Sequence, residues 1–413
     1  MCAKISMRIL IVGINYAPEL TGIGKYTSEM AEWLGALGHE IRIIASPPYY
    51  PEWRIGYGYS AWKYSNEVRG GVRIWRCPIW IPTRQTGRNR LLHLTSFALS
   101  SLPILVRQIF WRPHVIFAVE PALSCAPASW ACAKIAGSKS WLHVQDFEVD
   151  AAFELGILRK QRLRSIVSKA ESQLMRRFDR VSAISENMAT RLIQKKVMPE
   201  KVILFPNWIE SQSIYPLSQV SSYRAKLGID SETCVALYSG NMGEKQGLEI
   251  VLDAARILRS KVNLLFVLCG DGAARKRLMQ LAMDLPNVRW ISLQPLEKLN
   301  DLLNLADVHL LPQKAGVADL VMPSKLLGML ASGRPVLVTA DPETQLAKMV
   351  SLCGKVVEPG NTSQFAQELE ALARAPRERE KMGKIARLRI KAWDKGVILG
   401  EFEQHLQKLC SEK

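Results

Sequence analysis

Short apolar runs alternate with longer stretches of helical periodicity along the whole chain. Ile9–Ile14 reads as a strand, a glycine-rich turn follows, and apolar spacing from Lys25 to Leu37 predicts a helix that stops at Gly38. Ile41–Ala45 is the next strand, which completes a β-α-β opening. Further apolar runs at 115–119, 140–144, 181–184 and 202–205 are spaced as the strands of a parallel sheet. The pattern then restarts with a strand at Val235–Ser239, a helix at Leu248–Leu258, and strands at 264–269, 288–293, 308–311 and 336–339, with a helix at Ser324–Ala331 among them. Between the two series, Ser211–Ser222, rich in Ser and Gln around Pro216, reads as a linker.

These elements predict an α/β protein of two Rossmann-like domains, residues 1–210 and 211–413, with the last helix a candidate to pack back on the first domain. A length of 413 residues exceeds what one core usually organises. Ligands of open parallel sheets bind beyond the carboxyl ends of the strands, so the expected site is a cleft between the domains.

One apolar stretch breaks the pattern. Leu91–Phe110 contains His93, Thr95, several serines and Arg107, and falls short of the roughly 20 apolar residues that span a bilayer. Arg84, Arg88, Arg90, Arg107 and Arg112 surround it, and Trp75, Trp80 and Trp111 stand nearby. That mixture suits either a helix lying at lipid headgroups or an amphipathic packing helix with a basic rim. The formal charge is +17, of which residues 1–210 carry +12 and the remainder +5. Such an excess attracts nucleic acid, anionic lipid and diphosphate-bearing substrates alike, so charge alone selects no partner. Eight cysteines without a C-x-x-C pair, and an N-terminus that enters a strand after a few residues, fit a cytoplasmic protein with reduced thiols.

Four loops have the composition to hold phosphate or sugar. Ser239–Gly247 lies between a strand and a helix, with Gly240, Gly243 and Gly247 allowing close backbone approach and Lys245 supplying charge; its bland alternative is a flexible turn. Pro323-Ser324-Lys325 opens a helix and sets a lysine against the positive end of the helix dipole, a placement that a bound anion would reward. Gly270-Asp271-Gly272 begins like a dinucleotide fingerprint, but Arg275 replaces the last glycine and Gln294 stands where an acidic residue would follow. That argues against a nicotinamide cofactor and leaves a nucleotide base or ribose edge open. Gly22 and Gly24, before Tyr26, could admit an acceptor or a donor phosphate, or form a plain turn.

The densest polar cluster is His143, Asp146, Glu148 and Asp150, expected just after a strand, where it suits sugar hydroxyls or acid–base work. No second histidine cluster has metal-ligand spacing, and no G-x-S-x-G elbow is present, so neither a metal site nor a serine nucleophile is expected.

Taken together, Gly13–Tyr26, Pro47-Pro-Tyr-Tyr-Pro51, His143–Asp150, Phe205-Pro-Asn-Trp208, Ser239–Glu249 and Pro323-Ser-Lys325 resemble a retaining glycosyltransferase of family 4 with the GT-B architecture, in a branch serving colanic acid-like exopolysaccharide biosynthesis. The resemblance implies metal-independent transfer of a sugar, with retention, from a nucleoside diphosphate sugar, GDP-fucose, to an oligosaccharide on undecaprenyl diphosphate. It places the nucleotide on the C-terminal domain and the acceptor on the N-terminal one, and it implies a cytoplasmic protein at the inner membrane face with no nucleic-acid partner and no further cofactor. Backbone donors at Gly240 and Ser324, with Lys245 and Lys325, would take the charge of the leaving diphosphate. His143 and Asp146 would position the transferred sugar. Asn241, Gln246, Gly270, Asp271, Gly272, Gln294 and Asp319 would surround the nucleotide, and Gly22, Gly24, Tyr26 and Glu148 the acceptor. The chain departs from the family's Glu-x7-Glu, with Leu320 and Gly328 at those positions, and carries Asn241 and Gln246 where Arg and Lys are common. A nucleotide-sugar epimerase of the same architecture and a non-enzymatic polyanion binder are the rival readings.

Overall fold

The computed structural model describes residues 6–19, 22–84, 86–150, 161–315 and 324–412. The chain divides into two compact units, one of Met1–Pro206 with Leu399–Lys413 and one of Asn207–Ile398. Each is an α/β unit on its own parallel sheet.

Unit 1 is built on an eight-stranded sheet in the order β3-β4-β2-β1-β5-β6-β7-β8. The strands are β1 (Arg8–Val12), β2 (Glu40–Ala45), β3 (Ser65–Arg69), β4 (Val72–Arg76), β5 (Val115–Glu120), β6 (Lys139–Val144), β7 (Arg180–Ala183) and β8 (Val202–Leu204). Pairing is parallel except where β3 runs antiparallel to β4. The central strands are buried on both faces, which is why β1, β5 and β6 read as unbroken apolar runs. The helix Gly87–Ile109 is capped by Thr86 and buries Leu94, Phe97 and Leu105 while exposing Leu91, Leu92, Leu99, Leu102 and Val106. No helix among the described residues is long and apolar enough to cross a membrane.

The chain's last helix, Lys395–Ser411, contributes its final residues to unit 1. Phe402 stacks on Phe205 at 4.2 Å and meets Phe117 and Trp141 edge-on at 5.4 and 5.2 Å. Arg180 and Glu412 form an ion pair at 2.6 Å that holds the helix end.

Unit 2 carries a six-stranded sheet, order β11-β10-β9-β12-β13-β14, parallel throughout. Its strands are β9 (Cys234–Ser239), β10 (Leu264–Cys269), β11 (Val288–Ile291), β12 (Val308–Leu311), β13 (Val336–Thr339) and β14 (Gly354–Val357). Helices Glu249–Leu258 and Thr362–Arg374 cover one face with an apolar cluster around Phe266 and Phe365, and Ser324–Ala331 covers the other.

The linker expected at Ser211–Ser222 is instead a packed part of unit 2. Ile214 is buried, the Tyr215 and Leu217 N–H groups donate to the side chains of Asn300 and Asn304, and Ser221 caps a helical turn at Ser222–Lys226. Side-chain amides supply the partners that a polar segment would otherwise find in water.

Candidate functional site

In unit 2 the chain runs outward from β9 to β10 and β11, then returns to β12 on the other side of β9. This reversal is the switch point where open sheets place ligands. Three glycines in two turns meet there. Gly240, Gly270 and Gly272 have φ of +137°, +144° and +151°, conformations that disfavour any side chain. A Cβ on Gly270 would lie 1.9 Å from the Gly240 carbonyl oxygen, and one on Gly272 would lie 2.6 Å from the Met242 oxygen. The turns after β9 and β10 therefore stack backbone on backbone.

Lys325, in the first turn of the helix Ser324–Ala331, reaches into this junction. Its Nζ donates to the Tyr238 hydroxyl at 3.1 Å, sits 4.5 Å from the centre of that ring, and would lie 3.2 Å from a Cβ on Gly240. Burial without a carboxylate pulls its pKa down to about 8. A partly desolvated ammonium beside glycine turns is an arrangement that stabilises an incoming phosphate.

Other expected nucleotide contacts are committed to the fold. The Gly240 N–H donates to the Cys269 carbonyl at 2.9 Å, so it is no free donor for a diphosphate. The Gln246 Oε1 accepts the Gly243 N–H at 3.0 Å and braces the loop. Gln294 is spent at both ends, accepting from the Tyr223 hydroxyl at 2.7 Å and donating to the Ser292 carbonyl at 2.8 Å. Asp271 is exposed, and its Oδ1 accepts the N–H of Gly272 at 2.8 Å. Asn241 and Lys245 are exposed on the loop, and the Lys245 carbonyl accepts the Lys314 N–H at 3.1 Å. Asp319, Leu320, Pro323 and the Ser324 side chain lie outside the described residues. Gln313, which the sequence reading did not single out, follows β12 with its Oε1 enclosed and without a partner among the described residues, while its N–H and carbonyl both bond the Thr339 hydroxyl at 2.7 Å. Its position two residues past an apolar run was the available signal.

Unit 1 has its own switch point between β1 and β5, and a cavity of about 190 Å³ opens there. Asn15, Gly22, Tyr50, Trp53, Arg90 and Asp146 line it. Gly22, at φ +60°, starts the helix Gly22–Ala36, and Asp146 follows the end of β6 by two residues. Beneath them the buried Glu19 accepts the N–H groups of Tyr49 and Tyr50, each at 3.0 Å, and the Asn15 amide at 2.9 Å. Burial raises its pKa, and these three donors work against that rise. Asn15, Tyr50, Trp53 and Arg90 were not read as site residues, although Gly22, Asp146 and the motifs Gly13–Tyr26 and Pro47-Pro-Tyr-Tyr-Pro51 had pointed to this corner.

Four expectations for unit 1 are corrected. His143 lies within β6 and is buried, its Nδ1 2.8 Å from the Ser182 hydroxyl and its ring against Phe117 and Phe205. Burial pushes its pKa down to about 3, so it is a neutral core histidine. Gly24 is buried against Glu19, whose Oε2 would lie 2.7 Å from an added Cβ; the glycine admits that carboxylate, not a ligand. Tyr26 is likewise buried on the packing face of its helix, where burial raises its pKa. Glu148 accepts the Leu123 N–H at 3.2 Å and donates its own N–H to Glu120 at 3.2 Å. It forms a buried carboxyl pair with Glu120 and does not itself line the cavity, although the charges of the lining residues Arg90 and Asp146 act on it.

Two α/β units with glycine turns at their switch points are the GT-B architecture. Sucrose-phosphate synthase of Thermosynechococcus elongatus superposes with a TM-score of 0.74 at 17% identity, covering 98% of this chain and 99% of that one. Anabaena HepE, solved in complex with UDP and glucose, gives a TM-score of 0.69 at 14% identity over 97% of this chain and 100% of that one. Residues 21–208 match the glycosyl transferase 4-like domain, and residues 219–389 match glycosyl transferases group 1. Over 350 residues the chain is 44% identical to the colanic acid biosynthesis glycosyl transferase WcaI of Escherichia coli strain K12, covering 83% of this chain and 86% of that protein. The chain belongs to this glycosyltransferase family.

Proposed function

We propose that the protein transfers fucose from GDP-fucose, with retention and without a metal, to an undecaprenyl-diphosphate-linked oligosaccharide in colanic acid-like exopolysaccharide biosynthesis. The relative WcaI supports the pathway, and the UDP held by HepE supports a nucleotide-linked donor. The observation that carries the reading is Lys325, a largely buried cation at the unit 2 switch point with no carboxylate partner among the described residues.

Unit 2 binds the donor in this scheme. As the glycosidic bond to the donor breaks, Lys325, with the more exposed Lys245, neutralises the charge that develops on the diphosphate. The donor phosphate oxygen accepts the proton of the acceptor hydroxyl as that hydroxyl attacks from the same face. Unit 1 presents the acceptor, with Asp146, Asn15 and Arg90 as polar contacts and Tyr50 and Trp53 as apolar walls for a sugar ring. The exposed leucines of the helix Gly87–Ile109, with Phe110 and with Arg42 lying 4.0 Å over Trp111, form the surface that meets the inner membrane.

Calorimetric titration with GDP and UDP, without metal, tests the donor. Selective GDP binding that Lys325→Ala weakens supports the reading, selective UDP binding replaces the donor, and no binding of either removes the transferase assignment of this site. Co-sedimentation with phosphatidylglycerol vesicles, lost in a Leu99→Gln/Val106→Gln variant, tests the membrane surface.

A further inference from the structure

Unit 2 has a cationic cavity at the end of its sheet opposite the Lys325 junction. It encloses about 660 Å³, and Arg334, Arg379, Lys384, Arg387 and Lys391 line it, against Asp307 and Glu380. Asp307 immediately precedes β12, and Arg334 precedes β13 by two residues. The cavity therefore lies at the amino ends of strands whose carboxyl ends face the Lys325 junction, roughly 13 Å away for a four-residue strand.

The charges in this cavity divide into two groups. Both carboxylates are satisfied: Asp307 accepts from Arg224 at 2.7 Å and from the Val235 N–H at 2.8 Å, and Glu380 pairs with Lys384 at 2.7 Å. Arg379 is fixed by the Leu372 and Ala373 carbonyls, and Arg387 by those of Ile214, Ala331 and Ser211. Arg334 has no such partner. Its Nε is enclosed and unbonded among the described residues; burial lowers its pKa, the nearby Asp307 carboxylate works against that, and Arg224 and Arg379 add to the unfavourable charge. Lys391 also stands exposed without an ion pair among the described residues.

The walls are rigid. Pro216, Pro335 and Pro376 border the cavity, and a Cβ on Gly383 would lie 2.0 Å from the Gly333 carbonyl oxygen, so the helix Pro376–Arg389 is locked against the turn that carries Arg334. Two arginines held in place by carbonyls beside a third with uncommitted donors make a preformed anion site. Its size exceeds a single phosphate and suits a small phosphorylated metabolite.

We propose that this cavity binds a soluble, multiply charged phosphate, either pyrophosphate or a phosphate ester, at a site separate from the Lys325 junction. The probe is inorganic pyrophosphate titrated calorimetrically into the full-length protein, with Arg334→Gln and Lys325→Ala as variants. Hydrogen exchange then locates the binding. The expected result is that Arg334→Gln weakens one class of pyrophosphate site at least tenfold, and that in Lys325→Ala pyrophosphate still slows exchange over residues 333–340. Lys391→Gln, a change at an exposed position, is expected to weaken the same site about threefold and keeps the test valid should Arg334→Gln misfold. Titration of both the Arg334 and Lys391 variants like the parent protein, or protection confined to residues 239–247, overturns the proposal.

Discussion

The Lys325 amino group stands 3.1 Å from the Tyr238 hydroxyl, which in turn donates to the carbonyl of Asn241 in the glycine loop. Among the described residues no carboxylate pairs with this ammonium. Its pKa, pulled from 10.5 to about 8, represents a cost of about 3 kcal/mol for keeping it charged at neutral pH. Lys325→Met should therefore raise the stability of the free protein while removing nucleoside diphosphate affinity. For the parent protein, affinity should fall as pH rises through about 8, because the neutral amine no longer attracts phosphate. Thermal melts and titrations at pH 7 and pH 9 check both halves. A variant that melts lower and still binds would sink this account.

Gly24 and Glu19 are a second linked pair. An added Cβ at Gly24 would stand 2.7 Å from the Glu19 Oε2 and 2.9 Å from its Cβ, with no flexible end to yield. Gly24→Ala should force Glu19 away from the Tyr49 and Tyr50 N–H groups and destabilise the protein by about 1–3 kcal/mol. Glu19→Ala should cost a similar amount, and the double variant should cost less than the sum, because both changes break one network. Urea denaturation of the three variants measures the coupling; simple additivity would show that the two residues act independently.

How legible these features were depends on burial. β1, β5, β9 and β10 are covered on both faces, so their apolar runs stand out in sequence. The edge strand β3, Ser65–Arg69, is mostly exposed and polar, β4 interleaves Arg73 and Arg76 with its apolar residues, and β14 has only two apolar residues beside Gly354 and Lys355, so none of the three announced itself. The glycine turns were legible because close backbone approach demands glycine. What each turn approaches was not: Gly24 meets Glu19, Gly270 meets Gly240, and only the fold brings those partners together. His143 and Gln294 were misread for the same reason, since Ser182 and Tyr223, which occupy them, are distant in sequence.

The end of the chain should be indispensable to the unit that begins it. Phe402 is buried among Phe117, Trp141 and Phe205, and Phe402→Ala should cost about 3–5 kcal/mol through lost burial and a cavity. The loss should fall on unit 1. Hydrogen exchange on the variant should rise across β5, β6 and β7 before it rises in β9 to β13; uniform acceleration across both sheets would contradict that assignment.

Glu120 and Glu148 give unit 1 a pH dependence of definite sign. The Glu120 Oε2 and Glu148 Oε1 are enclosed without partners among the described residues. Burial raises both pKa values, Glu148 to about 7, and the Glu148 charge pushes Glu120 further. A carboxyl raised in this way holds its proton longer in the folded chain than in the unfolded one. Its contribution to stability is complete below the ordinary glutamate value of 4.5 and is lost as pH climbs through about 7. Between pH 5 and pH 8 the parent protein should lose about 2–3 kcal/mol from Glu148, with Glu120 adding to the loss in the same direction. Glu148→Gln keeps an acceptor for the Leu123 N–H and removes one titrating group, so it should flatten the curve and make the variant relatively more stable at pH 8 than at pH 5. Urea midpoints at the two pH values decide the matter: an unchanged slope in Glu148→Gln would mean that the pair is not the source of the pH dependence.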